Sequence, residues 1–136
     1  LAAGVTDASG VIAVPVIIAQ KSQIRLISEG SWERLEGKTN EKVISVVPSV
    51  SLSLPASVKA GATYLVTGQV LPKVAGIKVA VKQNGKSLGE FITEASGSFT
   101  FNIAPAATGL ATYQVIIAAG EKNTAGISDE ITVLVR

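Results

Sequence analysis

The sequence predicts an all-β chain: one complete two-sheet sandwich over residues 50–136, preceded over residues 1–49 by the last three strands of a second copy. Three observations carry this. Apolar and polar residues alternate in short runs, the period of strands with one buried face. Turn residues punctuate those runs at close spacing. And the chain repeats itself: Thr6-Asp7-Ala8-Ser9-Gly10 recurs as Thr93-Glu94-Ala95-Ser96-Gly97, and Glu41-Lys42-Val43-Ile44-Ser45-Val46 recurs as Asp129-Glu130-Ile131-Thr132-Val133-Leu134, with the same order of elements after each first motif.

The complete copy is read strand by strand. Ser51-Leu52-Ser53-Leu54 alternates and stops at Pro55, and Lys59-Ala60-Gly61 turns the chain. Tyr64, Val66, Gly68 and Val70 then share one face, with Leu65, Thr67 and Gln69 on the other, until Pro72 ends the run. Ile77, Val79 and Val81 alternate with Lys78 and Lys82, which places the β-branched residues inward and the lysines outward. Asn84-Gly85 predicts a type I′ hairpin, whose two central residues need positive φ. A strand near Leu88–Ile92 returns, Glu94–Gly97 turns again, and Phe99, Phe101 and Ile103 form the next inward set. Pro105–Leu110 is a small-residue loop. Tyr113, Val115 and Ile117 follow, then a polar loop over Gly120–Ser128, and Ile131, Val133 and Val135 close the unit. The resulting seven short strands match the count of an immunoglobulin-like (Ig-like) sandwich. In that fold Tyr113, at the start of the sixth strand, is placed to act as a tyrosine corner, its hydroxyl on nearby backbone.

In residues 1–49 the fifth strand is expected at Val11–Ile18, the sixth at Gln23–Ser28 and the seventh at Lys42–Val47. The sixth-strand tyrosine is absent, with Ile24 or Arg25 near its place. Val46-Val47-Pro48-Ser49-Val50 joins the copies with almost no slack, so the units are expected end to end with restricted hinge motion. Three strands leave an open face and an unpaired edge. The missing strands are cut off, lie outside this chain, or come from another molecule by strand complementation.

Composition narrows the function classes. Twelve basic and ten acidic side chains give a net charge of +2, with no basic block, which argues against nucleic acid. No apolar run approaches the ~18 residues of a membrane span. The longest, Val11–Ala19, contains Pro15 and lacks the basic start and cleavage site of a signal peptide. A first residue Leu1 rather than Met fits a mature or trimmed product. There is no Cys, His or Met, so neither a disulfide framework nor a zinc–thiolate site can form.

The same inventory argues against an enzyme, because the usual nucleophile and base pairs are missing. The carboxylates Asp7, Glu94, Asp129 and Glu130 fall in turns and loops. No phosphate-binding glycine loop is present. Calcium between tandem β units would need clustered oxygen ligands, and Ser45–Val50 carries no carboxylate. A Lys–Asn isopeptide crosslink would need inward residues, whereas Asn102, Lys78 and Lys82 are expected to point outward. No cofactor or metal is implied.

The turn and core residues resemble a known family. Leu52, Leu54-Pro55-Ala56, Val58 and Ala60-Gly61 lead into Val66-Thr67-Gly68, Val70 and Pro72, then Gly76, Val79 and Val81, then Thr93-Glu94-Ala95-Ser96-Gly97-Ser98-Phe99 and Phe101. This pattern is similar to the Ig-like repeat domains of secreted and cell-surface bacterial proteins, especially those of actinobacteria. It covers Val50–Arg136 as a full copy and Thr6–Val47 as a partial one. The resemblance implies an extracellular, tandem, mostly structural module, of the kind found in stalks, adhesins, surface-layer proteins and secreted hydrolases. The loop Ser31-Trp32-Glu33-Arg34-Leu35-Glu36 departs from it, being longer and richer than its counterpart at Gly120–Gly126.

Three functional readings follow. The first is a structural or assembly module of a cell-surface or extracellular filament, partnered by neighbouring Ig-like units or identical chains. The second is an adhesive module for a carbohydrate, a cell-surface ligand or a host protein, using Trp32, Arg34 and Leu35 as contact residues. The third is an accessory domain of a larger secreted hydrolase. Trp32, the one tryptophan, sits in a polar loop, where an aromatic side chain anchors a partner or stacks on a sugar. Alternatively Trp32 and Leu35 fold back to cover the end of their own unit, or pack on the next unit.

Overall fold

The computed structural model describes residues 2–136. Among them there are strands and no helix: β1 (Ser22–Ile24), β2 (Ile27–Ser28), β3 (Gly37–Lys38), β4 (Lys42–Ile44), β5 (Ser49–Ser53), β6 (Ser57–Val58), β7 (Tyr64–Leu71), β8 (Lys78–Gln83), β9 (Lys86–Ile92), β10 (Ser98–Ile103), β11 (Gly109–Ile117), β12 (Gly126–Ile127) and β13 (Ile131–Val135).

From β5 onward the strands form two sheets. One has the order β10-β7-β5, all antiparallel; the other has the order β6-β13-β11-β8-β9, with β12 attached to β11. The chain changes sheet between β5 and β6, at Leu54-Pro55-Ala56, where proline supplies no N–H to continue a ladder. It then runs parallel to β13. Between the sheets lies one core. Val66 and Val70 from β7 and Phe99, Phe101 and Ile103 from β10 face Val79, Val81, Tyr113, Val115, Ile117 and Val133 of the larger sheet. These are the inward residues that the alternation predicts. The Asn84-Gly85 hairpin also forms as expected, with φ of 49° and 78°.

Gly68 completes the inward row of β7. It lies directly across from Phe99 in the ladder, and a Cβ at Gly68 would overlap the Phe99 ring. The missing side chain is therefore the space that the ring fills. Thr93, also buried, closes the β8–β9 end: its Oγ1 accepts from Ile77 N (3.0 Å) and donates to Val74 O (2.7 Å).

Tyr113 is not a tyrosine corner. It sits within the ladder, across from Gln83 and Ile131, is fully buried, and its hydroxyl has no hydrogen-bond partner. Burial pushes that hydroxyl above the usual tyrosine pKa, so it stays neutral. The corner-like bond is made instead by Tyr64 at the start of β7, whose hydroxyl accepts from Lys59 N at 2.8 Å.

Residues 2–48 are organised differently. Within residues 2–47 nothing is fully buried. One long hairpin runs from β1–β4 pairing through β2–β3 pairing. The expected sixth strand is interrupted at Arg25-Leu26, where Leu26 N donates to Thr39 Oγ1 (3.0 Å) and Thr39 N to Leu26 O (2.9 Å). The seventh stops at Ile44 instead of Val47, because Val46 O turns to accept from Thr124 N (2.9 Å) in the other copy. Aligning Glu41–Val46 on Asp129–Leu134 sets Val43 at Ile131. Gln23 pairs with Val43 as Tyr113 pairs with Ile131, so Gln23, and neither Ile24 nor Arg25, stands at the tyrosine's place.

The fifth strand expected at Val11–Ile18 does not form. The reason lies in the complete copy. The repeated turn sets Val11 against Ser98, which makes 11–16 the counterpart of β10, and β10 takes its ladder from β7 alone. No counterpart of β7 lies in residues 1–10. The turn itself is reproduced. Asp7 N donates to Val11 O (2.8 Å) and Gly10 N to Asp7 O (3.0 Å), as Glu94 N does to Ser98 O (2.9 Å) and Gly97 N to Glu94 O (2.8 Å). Both closing glycines have φ near that of a left-handed residue, 80° and 75°.

Two outcomes check this packing. Gly68→Ala lowers unfolding stability by about 1–3 kcal/mol in urea denaturation, because the Phe99 ring must leave its place. Tyr64→Phe lowers it by about 0.5–1.5 kcal/mol, whereas Tyr113→Phe leaves it unchanged or raised, since only a desolvated, unpartnered hydroxyl is removed.

Candidate functional site

The loop between β2 and β3 is a tight, ordered tip. Ser31 N donates to Arg34 O (2.8 Å) and Arg34 N to Ser31 O (3.2 Å), which leaves Trp32 and Glu33 as the two residues of the turn. Ser31 Oγ also accepts from Glu33 N at 3.3 Å. Gly30 lets the two arms cross closely: a Cβ there would stand 2.9 Å from Glu36 N and 3.1 Å from Arg34 O. Behind the tip, Arg25 and Glu41 approach to 3.7 Å across the hairpin as a solvent-exposed pair of small energetic weight.

Trp32 is 93% exposed and Leu35 95%. The alternative in which they fold back over their own unit is not what the structure contains. Arg34 is exposed in the same loop, as are Glu29, Glu33 and Glu36. The three residues singled out from the sequence for partner contact thus share one small, acidic, apolar-tipped projection.

The counterpart loop of the complete copy is used differently. Asn123 is buried and donates to Ala118 O (3.0 Å) and Thr124 O (2.6 Å), pulling the loop back on itself. Lys122 Nζ donates to Ala75 O (2.9 Å), and Lys122 O accepts from Lys21 N (2.7 Å) of the partial copy. A shallow cleft of about 390 Å³ lies beside it, along Gly76–Lys78 and Ala118–Asn123.

A second concavity, of about 450 Å³, lies at the other end of the complete copy, lined by Ser57, Val58, Lys59, Tyr64 and Arg136. Arg136 Nη2 donates to Ser57 Oγ at 2.7 Å. Nothing in the sequence marked it. Lys59 reads as a turn residue and Arg136 as the end of a strand, and only the folding of β6 onto β13 brings them together.

The carboxylates read as turn residues are exposed. Asp7 is held below the usual carboxylate pKa by hydrogen bonds from Ser9 Oγ, Val11 N and Ser9 N, which is the chemistry of a turn cap. Among the described residues no three of His, Cys, Asp and Glu gather as a metal site. Nor is any helix long and apolar enough to cross a membrane.

No family model matches the chain, and no curated protein matches it either. Solved structures do resemble it. Two variants of superoxide reductase (neelaredoxin) from Ignicoccus hospitalis align with TM-scores of 0.50 and 0.49 at 15% and 16% identity, covering 67% and 65% of this chain and 82% and 80% of theirs. The fibronectin(III)-like modules of Clostridium thermocellum CbhA align with a TM-score of 0.45 at 14% identity, over 86% of this chain and 62% of that one. The one at a TM-score of 0.50 corrects the expectation that the chain is not an enzyme, because the fold it shares with this chain is found in an enzyme. That expectation rests on missing His and Cys side chains, and the likeness at 15% identity bears on the scaffold alone. A fold of this kind carries sites on its loops and strand ends, so the scaffold does not argue against catalysis.

Proposed function

We propose that this chain is a structural and assembly module of a cell-surface or extracellular filament or stalk, built from tandem Ig-like units of the bacterial repeat type, with residues 1–49 and 50–136 as a partial and a whole unit. The observation that carries this reading is the turn at Asp7–Val11, which repeats the backbone bonds of Glu94–Ser98. Two copies of one unit in one chain are the mark of a repeat array. The joint between them is tied at both sides, by Lys21 N on Lys122 O and by Thr124 N and Oγ1 on Val46 O (2.9 and 3.1 Å). Such a joint suits a rod.

Strand complementation belongs to the same reading. Segment 11–18 has the alternation of β10, with Ile12 and Val14 at the positions of Phe99 and Phe101, and it lacks the ladder partner that β7 gives β10. A strand of the β7 type from another chain would supply backbone bonds and cover the apolar face together.

The exposure of Trp32 and Leu35 favours a second reading, an adhesive module whose tip stacks on a carbohydrate or enters a pocket on a host protein.

Hydrogen exchange tests complementation. In dilute chain the amides of residues 11–18 exchange freely, and a peptide of sequence Tyr64–Leu71 slows them at least about tenfold; unchanged exchange removes complementation from the proposal. Glycan or cell-surface binding that quenches Trp32 fluorescence and is lost in Trp32→Ala supports the adhesive reading, and binding indifferent to that substitution dismisses it.

A further inference from the structure

The joint inside the chain shows how two of these units meet. The loop between β11 and β13 of the complete copy rests on the end of the partial copy where β1 begins and β4 has ended. Lys122 O accepts from Lys21 N, Val46 O accepts from Thr124 N, and Gly126 backs onto Pro48 so closely that a Cβ would stand 2.8 Å from Pro48 O. The rule of the joint is therefore loop to opposite end. Each half of that rule has a counterpart elsewhere in this chain. The partial copy's corresponding loop is the Trp32 tip, and the complete copy's corresponding end is the groove beside Arg136.

We infer that the Trp32 tip of one chain docks into the Val58–Lys59–Tyr64–Arg136 groove of a second copy of this chain, joining the copies head to tail. This rests on the assembly reading above and names its contact. The two surfaces are complementary in kind. The tip loop carries the exposed Trp32 and Leu35 together with three carboxylates, Glu29, Glu33 and Glu36, and the guanidinium of Arg34, with Lys38 in the strand that follows. The groove presents the buried Val58 and the half-buried Tyr64 as its apolar lining, with the cationic side chains of Lys59 and Arg136 and no carboxylate. It is an open concavity of about 450 Å³. A tryptophan at the centre of a charged rim is the arrangement of an interface anchor. Because tip and groove are different surfaces, the contact is heterologous and leaves a free tip and a free groove after every addition. The product is a linear string, continuing between chains the rule that joins the two units within one.

Trp32 is the only tryptophan, so its emission reports the contact directly. In a concentration series followed by sedimentation velocity, the chain forms multimers while Trp32 emission moves to the blue, and both effects weaken at high salt. Trp32→Ala weakens association at least about tenfold without changing the thermal unfolding of the chain, since the side chain is exposed in the monomer. The double variants Glu33→Lys/Glu36→Lys and Lys59→Glu/Arg136→Glu each fail to associate alone, and an equimolar mixture of the two associates again. Multimers that leave Trp32 emission unchanged, or that ignore the charge reversals, overturn this contact while leaving assembly through segment 11–18 in place. A monomer at every concentration overturns both this contact and the assembly reading.

Discussion

The ladder on either side of β7 is the constraint on which the rest depends. In the complete copy β7 pairs with β5 along one edge and β10 along the other, and its inward row of Val66, Gly68 and Val70 forms the floor for both phenylalanines of β10. Remove that strand and β10 has no ladder at all, because no other strand pairs with it. The stretch before β1 shows what the ladder contributes. Its turn at Asp7–Val11 is intact, its segment 11–18 keeps the apolar alternation, and yet it forms no strand. Local propensity sets the extended conformation; the ladder and the core that make it a strand are tertiary.

The hairpin of the partial copy persists for the opposite reason. Its bonds are all between residues close in sequence, and its tip is closed by the reciprocal Ser31–Arg34 bonds. Such an element needs no partner sheet to choose its register, although an isolated two-stranded hairpin is of marginal stability. Its contact with the complete copy through Lys21 and Val46 therefore matters beyond alignment of the units. It fixes the base of a projection whose tip carries the most exposed aromatic side chain of the chain.

These differences mark what a reader of the sequence could see. Seven of the nine strands from β5 onward were legible, all but β6 and β12, because alternation and turn chemistry are local: Pro55 ends β5, Asn84-Gly85 turns β8 into β9, Gly97 closes the turn before β10. Pairing was not legible. Nothing in Val11–Ile18 says that its ladder partner is a strand of the β7 type. Nor does anything local distinguish the two tyrosines. Tyr113 and Tyr64 both begin inward rows, but only the path of the chain from β6 into β7 brings Lys59 N within reach of a hydroxyl, and that hydroxyl belongs to Tyr64. The exposed tip was legible as an odd loop. The groove was not, because its residues converge only when β6 folds along β13.

The unpartnered hydroxyl of Tyr113 and the missing side chain of Gly68 show how tightly the complete copy is specified. A phenol buried without a bond costs stability that a phenylalanine would not, whereas Gly68 makes room for an aromatic ring at the price of chain flexibility. Both are tolerable only because the surrounding valines and isoleucines close over them on two sheets. Residues 2–47 have the same kinds of side chain, but only two-stranded pairings, and none of their apolar side chains is fully enclosed. Ile12 and Val14 stay half-covered, Ile17 is 97% exposed and Val47 73%. Apolar surface left in that state gains by meeting another surface.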